Sequence, residues 1–365
     1  MNTNDFRTIG TQNGAKAFNG TFDGNGHTIK NIKIVAADQS RPENNQLGLF
    51  KWSKADTKVL NLTLENVTAD AKDAAGALFG QVPSMKCVIE NVTVINPNIT
   101  SVAHAGGLIG IGGNNLSKSS DFIVKNCHVY GGIVKANNAG GIIGTMQAGT
   151  LLGCSTALDI EGNNIAGGIL AQGYMPGVND AAYKCDNVIV ACYTKSNIQN
   201  NKNVQASGIA GTYKGQMDAS YSVSVTTLPA NPAVRSHNNV IANCIYRVTA
   251  APAGDERLPE RVHNCYCPGS LEPIHQFQYQ IFNGKMTLVD KMNIGYWALN
   301  AEGKNQPKAS YMEMKRPTEM TQVELDKMNV ALEAFSTPEY QGINGYQFEL
   351  SPADAHGFPA ILVKR

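Results

Sequence analysis

Few residues in this chain are spaced for chemistry. Asp159 and Glu161 stand two apart, which in an alternating strand puts both carboxylates on one face. Such a pair suits a cation or a sugar, or is simply solvated. Seven His residues, at 27, 104, 128, 237, 263, 275 and 356, form no pair at the i, i+2 or i, i+4 spacing of a strand or helix metal site. Asp23-Gly24-Asn25-Gly26 opens like a calcium loop but lacks the later acids, so it reads as a tight turn. No third Gly follows for a dinucleotide fingerprint. Neither metal nor cofactor is expected.

Composition narrows the function classes. The 365 residues carry 30 Lys plus Arg against 29 Asp plus Glu, a net charge of +1 that offers no footprint for nucleic acid or an anionic membrane. Only 16% are charged and 36 are Gly, the make-up of strands and turns. The longest apolar runs, such as Ile142 to Met146, are far too short to span a bilayer.

Two elements recur along the chain and must position any site. The first is a small-residue signature: Ala75-Gly76-Ala77-Leu78-Phe79-Gly80, Ala105-Gly106-Gly107-Leu108-Ile109-Gly110, Ala139-Gly140-Gly141-Ile142-Ile143-Gly144, Ala166-Gly167-Gly168-Ile169-Leu170 and Ala206-Ser207-Gly208-Ile209-Ala210-Gly211. The second is a bend followed by strict alternation, starting at Asn31, Asn61, Asn91, Asn126, Gly153, Ala191, Ala219, Asn243 and Asn264. Intervals between bends run from 21 residues (Asn243 to Asn264) to 38 (Gly153 to Ala191). Period-2 alternation means strands with one buried face, and units too small to bury a core alone must stack. The expected fold is all-β, a right-handed parallel β-helix of about eight or nine coils. Propeller blades of about 40 to 45 residues are longer than these units.

The signature resembles the GLUG motif, and Phe18-Asn19-Gly20-Thr21-Phe22-Asp23-Gly24-Asn25-Gly26-His27-Thr28-Ile29 resembles the phrase that opens such arrays. The likeness covers about residues 5 to 270, and Gly357-Phe358-Pro359-Ala360-Ile361-Leu362 is similar to the C-terminal part of these proteins. It implies a secreted or surface-anchored bacterial protein, adhesin-like, of the kind found in Bacteroides-like gut bacteria. It implies no catalytic residue.

Stacking converts positions into columns. Cys127, Cys154, Cys192, Cys244 and Cys265 follow their bends directly, as Ile32, Leu62, Val92 and Ser220 do, so they read as an inward column. Two readings stand, a reduced ladder or a rung-to-rung disulfide between Cys127 and Cys154 or between Cys244 and Cys265. Two residues after each bend lies an outward column: Lys33, Thr63, Thr93, His128, Ser155, Tyr193, Tyr221, Ile245 and Tyr266. Its last four members form an apolar, aromatic stripe, which is normally covered or used. Either the region after Leu271 folds back on it, or Tyr193, Tyr221, Ile245 and Tyr266 make a flat platform for a host or dietary glycan or a surface protein.

Glycosidases and lyases need carboxylates brought together from neighbouring rungs. Glu65 has no acidic neighbour in its column, and Glu90 and Asp218 lie four rungs apart. Any convergence of acids falls to irregular loops such as residues 173 to 187.

The chain divides into a repeat domain, 1–270, and a C-terminal cap, 271–365. Within the cap, Thr321-Gln322-Val323-Glu324 fits a capping box, with Leu325, Met328, Leu332 and Phe335 following at helical spacing. One helix over roughly 322–335 is expected, shielding the open edge of the last rungs. A leader and anchor are expected outside the chain. The reading is an extracellular bacterial surface module for adhesion or glycan binding, non-catalytic. A polysaccharide-acting β-helix enzyme and a structural stalk are the alternatives.

Overall fold

The computed structural model describes residues 5–11, 16–35, 46–83, 86–113, 121–173, 187–201, 205–213, 215–227, 241–248, 262–263, 265, 274–282, 285–294, 297–299, 305–307, 320–334 and 343–365. Its strands form a parallel β-helix. One wall is a 23-stranded sheet and the opposing wall a nine-stranded sheet that ends on the antiparallel pair Ile274–Phe282 and Lys285–Ile294. Parallel pairing between Ile241–Val248 and Ile274–Phe282 carries the solenoid past residue 270.

The bend residues adopt the left-handed conformation that Asn and Gly tolerate best: Asn61 (φ 51°), Asn91 (φ 56°), Asn126 (φ 49°) and Gly153 (φ 61°). Ala191 and Ala219 follow at φ 57° and 44°. The rung register Thr63↔Thr93↔His128↔Ser155↔Tyr193↔Tyr221 confirms that these stretches lie over one another.

Two bends lie elsewhere than their spacing predicts. Asn31 stands under Asn66, not Asn61, because Lys33 pairs with Thr68 and Thr28 pairs with Thr63. Each early rung turns left-handed twice, at Asn61 and Asn66 and again at Asn91 and Asn96, so an Asn alone does not say which corner it makes. Thr28, not Lys33, therefore begins the outward column. Asn243 lies in the second sheet, where it pairs with Thr212, and the rung above Ala219 returns only at Val262–His263. Ile245 accordingly leaves the tyrosine column, while Cys265 is buried in the core above Ser220.

An asparagine ladder runs up the exposed first corner. Asn126 Nδ2 donates to Asn91 Oδ1 at 2.6 Å, Asn91 Nδ2 to Asn61 Oδ1 at 3.0 Å, and Asn61 Nδ2 to Asp23 Oδ1 at 3.1 Å. Asp23 also accepts from the Asn25 N–H at 2.8 Å, and these bonds, the backbone one first, hold its carboxyl below the ordinary range. Since a carboxylate can only accept, Asp23 sets the direction of every amide above it.

The small-residue signature turns the chain from the first sheet to the second. It is a stacked corner, with neighbouring rungs in such close approach that side chains are excluded. A Cβ on Gly141 would lie 1.9 Å from the Gly168 carbonyl oxygen, and one on Gly168 would lie 1.9 Å from that of Gly208. Beside this corner a polar seam crosses rungs: Gln46 Nε2 donates to Asp73 Oδ2, Thr145 Oγ1 lies 2.7 Å from His104 Nδ1, and Asn138 Nδ2 donates to Gln172 Oε1.

Cys87, Cys127, Cys154, Cys192 and Cys265 are buried and free, so the reduced reading holds for them, while the side chain of Cys244 lies outside the described ones. Burial pushes the Cys87 thiol up to about 12 and raises those of Cys127 and Cys192 well above the ordinary range. Cys185, Cys267 and Phe335 lie outside the described residues.

The cap holds the helix Gln322–Ala334 and the antiparallel hairpin Tyr346–Leu350 with Ala360–Lys364. The capping box forms, with Thr321 N donating to Glu324 Oε2 at 2.9 Å. Asn329 bonds both the N–H and the C=O of Phe348, tying helix to hairpin. This unit lies on the outer face of the late rungs rather than over an open strand edge. Leu325, Met328 and Leu332 bury against Leu152, Val188, Val190 and Ala219.

Gly141→Ala is expected to destabilise the rod by about 1–3 kcal/mol or more, the usual cost of overpacking, read as a lowered denaturation midpoint. Acid stability should depend on Asp23. Its lowered folded pKa stabilises above the unfolded carboxylate value, and that contribution is lost as pH falls through the folded value. Asp23→Asn should flatten this part of the stability profile, and an unchanged acid limb would refute the ladder's direction.

Candidate functional site

Tyr193 and Tyr221 are buried, at 4% and 0% exposure. Their rings stack on each other at 5.4 Å, Phe358 meets Tyr193 edge-on at 4.8 Å, and the Tyr221 hydroxyl donates to the Ala360 carbonyl. The platform is closed because the C-terminal segment occupies it. Ile245 belongs to the second sheet, and Tyr266 lies outside the described residues. The covering also explains why the asparagine column stops. At the next rung a Cβ on Gly153 would come within 2.8 Å of Leu362 Cδ2.

Beneath the cap edge, His128 Nδ1 and the Tyr130 hydroxyl each lie 2.7 Å from Ser155 Oγ, and His128 Nε2 lies 3.2 Å from Asn126 Oδ1. The ladder below makes Asn126 Oδ1 an acceptor, so Nε2 carries the proton and Nδ1 accepts from Ser155. Tyr130 then donates to Ser155. Serine, imidazole and amide in line resemble a nucleophilic triad in composition. Ser155, however, is fully buried with both partners engaged, so it is closed to solvent. Burial, more than the neighbouring His356, holds the His128 imidazole below its ordinary range.

The open concavity lies one corner further along, at the margin of the cap. Rungs with Asn66 and Asn96 turn there through a left-handed asparagine; the next uses Gly131-Gly132, both left-handed, at φ 66° and 67°. A Cβ on either glycine would strike Asn96 Oδ1 or the Pro97 carbonyl oxygen at 2.2 and 2.1 Å. The following rung makes the corner with one residue fewer, a register shift between Tyr130↔Ala157 and Ile133↔Asp159. The chain thus steps back beneath the glycine pair, and buried hydroxyls of Thr156, Thr194, Ser196 and Ser224 knit the shortened corners together.

The step leaves a cleft of about 330 Å³, at the small end of ligand pockets. Ala157, Leu158 and Val223 supply its apolar wall, and Asp159, Asn197, Lys195 and His356 its polar groups. Asn197 Nδ2 donates to Asp159 Oδ1 at 2.9 Å. The His356 ring stacks on Tyr130, centroids 3.8 Å apart and planes 19° apart. Its loop is held by Asp354 Oδ2, which accepts from the backbone N–H groups of His356 and Phe358.

Of the two acids singled out by spacing, Asp159 reaches the cleft. Glu161 instead pairs with Lys135 at 3.0 Å, as Glu90 does with Lys125 at 3.0 Å. Lys195 and Val223 stand four residues after the bends at Ala191 and Ala219, equivalent places in successive coils, but the cleft they line depends on the one-residue shortening and on a distant His356. The Gly131-Gly132 pair was the available signal. Among the described residues no group of three His, Cys, Asp or Glu is placed to hold a metal, and most of the loop 173–187 lies outside them.

No family model matches the chain, and no solved structure does. Halomucin of Haloquadratum walsbyi (strain DSM 16790 / HBSQ001) is 33% identical over 108 residues, which are 29% of this chain and 1% of halomucin. The chain therefore spans a very small part of the relative it matches. No described helix is long and apolar enough to cross a membrane.

Cap docking should weaken in acid. A base with a lowered folded pKa stabilises fully above its unfolded value, about 6.5 for His, and that contribution fades as pH falls through it. Limited proteolysis between pH 8 and 5 should show the segment after residue 320 becoming cleavable first, and His128→Gln should remove the pH dependence. Cleavage equally pH-dependent in that variant would count against His128.

Proposed function

We propose that this chain is a non-catalytic binding module of an extracellular bacterial surface protein, a rigid rod that carries a sugar-sized cleft on its flank. The observation that carries this reading is the cleft beside His356. A carboxylate, an amide, an ammonium and an imidazole ring border a small apolar wall, which is the mixture that orients a polyhydroxylated ring. The GLUG resemblance supports placement at a bacterial surface.

Binding is favoured over turnover by the acids. Glycoside hydrolysis uses two carboxyl groups flanking one bond, whereas the cleft contains Asp159 without a second acid among its lining residues. Glu161, the nearest acid in sequence, is committed to Lys135. The early rungs, with their asparagine ladder and threonine column, suit the role of spacer.

A glycan array, run alongside reducing-sugar assays on the retained polysaccharides, tests this. Retention of a defined glycan class without release of sugar is the expected result. Product formation would make the protein an enzyme, and an array with nothing retained would end the glycan reading.

A further inference from the structure

Resting on that reading, we infer that the cleft selects an acidic sugar, a hexuronate-type ring whose carboxylate meets Lys195 while its hydroxyls meet Asp159 and Asn197. Three observations carry this.

The first is where Lys195 lies. A Cβ on Gly357 would lie 2.1 Å from Lys195 Nζ, so the ammonium end of this exposed side chain rests beside the loop backbone. Gly357 is also left-handed there, at φ 72°. Among the described residues this ammonium makes no ion pair. It is therefore a cation at the cleft wall, available to a ligand anion.

The second is the distribution of acceptors. Asp159 Oδ1 is taken by Asn197 Nδ2. Its Oδ2 has no partner among the described residues. The amide keeps a second N–H and its own oxygen. A carboxylate oxygen beside an amide donor matches a pair of vicinal hydroxyls, each of which both donates and accepts.

The third is spacing. Ala157 stands beside Lys195 in the rung register and Asp159 pairs with Asn197, so Lys195 and Asp159 are diagonal neighbours. Cation and hydroxyl-binding pair thus line the same cleft from either side of the corner. Ala157 and Val223 offer an aliphatic surface for the ring's C–H face, with His356 at the border.

The experiment is titration of the whole chain with sodium D-glucuronate, sodium D-galacturonate, D-glucose and D-galactose, followed by heteronuclear NMR. At least one uronate should bind about tenfold tighter than its neutral counterpart, as one charge-assisted contact allows. Its shifts should centre on residues 157–159, 195–197 and 356, and added salt should weaken only the uronate. Lys195→Gln should bring the uronate down to the neutral sugar's affinity, and Asp159→Asn should weaken both. Both substitutions are on the surface, and an unchanged spectrum elsewhere verifies folding.

Neutral sugars binding in the cleft as well as uronates do, or a uronate preference that survives in Lys195→Gln, would overturn this inference and leave the glycan module standing. Binding of none of the four probes at saturating concentrations would overturn the cleft as a sugar site altogether.

Discussion

Stacking rung on rung imposes one demand, that the backbone turn at the same place each time with nothing in the way of the next turn. At the first corner this is met by left-handed Asn, and the amides that result bond up the rod in one direction, from Asn126 down to Asp23. At the corner between the two sheets the same demand is met by removing side chains, since Gly141 and Gly168 face carbonyl oxygens at distances no Cβ tolerates. The interior then fills with small and branched residues and with free thiols, because each inward position sees its equivalent above and below.

The hydrogen-bond direction fixed at Asp23 reaches further than the ladder. It makes Asn126 Oδ1 an acceptor, which selects the His128 tautomer, which in turn orients Ser155 and Tyr130. Tyr130 is the ring on which His356 stacks. A turn residue near the start of the chain is thus connected, bond by bond, to the wall of the cleft. Ladder and cap also share a boundary. Asparagine gives way to Gly153 at the rung where Leu362 needs the space, and to Ala191 and Ala219 under the cap core.

Much of this was legible in the residues. Period-2 alternation and the Ala-Gly-Gly signature were enough for a parallel solenoid, and the capping box marked the helix to within a residue at its start. The columns from Asn61 to Ala219 were correct because the spacing there is a whole rung. Asn31 and Asn243 were assigned wrongly for a physical reason: left-handed Asn serves either corner, and an Asn-Cys pair in the second sheet has the same local pattern as a bend. The stripe ending in Tyr193 and Tyr221 was recognised, as was the need to cover or use it, but only coordinates show Ala360 accepting from Tyr221. The residues carry a further signal. Leu151-Leu152 and Val188-Ile189-Val190 are apolar on both faces, whereas Val124 and Lys125 on an earlier rung still alternate, and that loss of alternation marks a strand buried on both sides.

The cleft was the least legible feature because it arises from an irregularity. A perfect repeat offers every rung the same surface, so a flat, polar rod has nowhere to enclose a ligand. Enclosure requires that one rung differ from the next in length, and here the corner loses a residue between Gly131-Gly132 and Leu158. The step alone would be an open ledge. It becomes a cleft because the cap, seated on the stripe where alternation fails, brings His356 and Gly357 to its rim, with Lys195 Nζ beside Gly357. Two departures from the repeat, neither informative by itself, therefore meet at one spot. In a solenoid whose regular parts are committed to stacking, that meeting point is where side chains are free to bind something else.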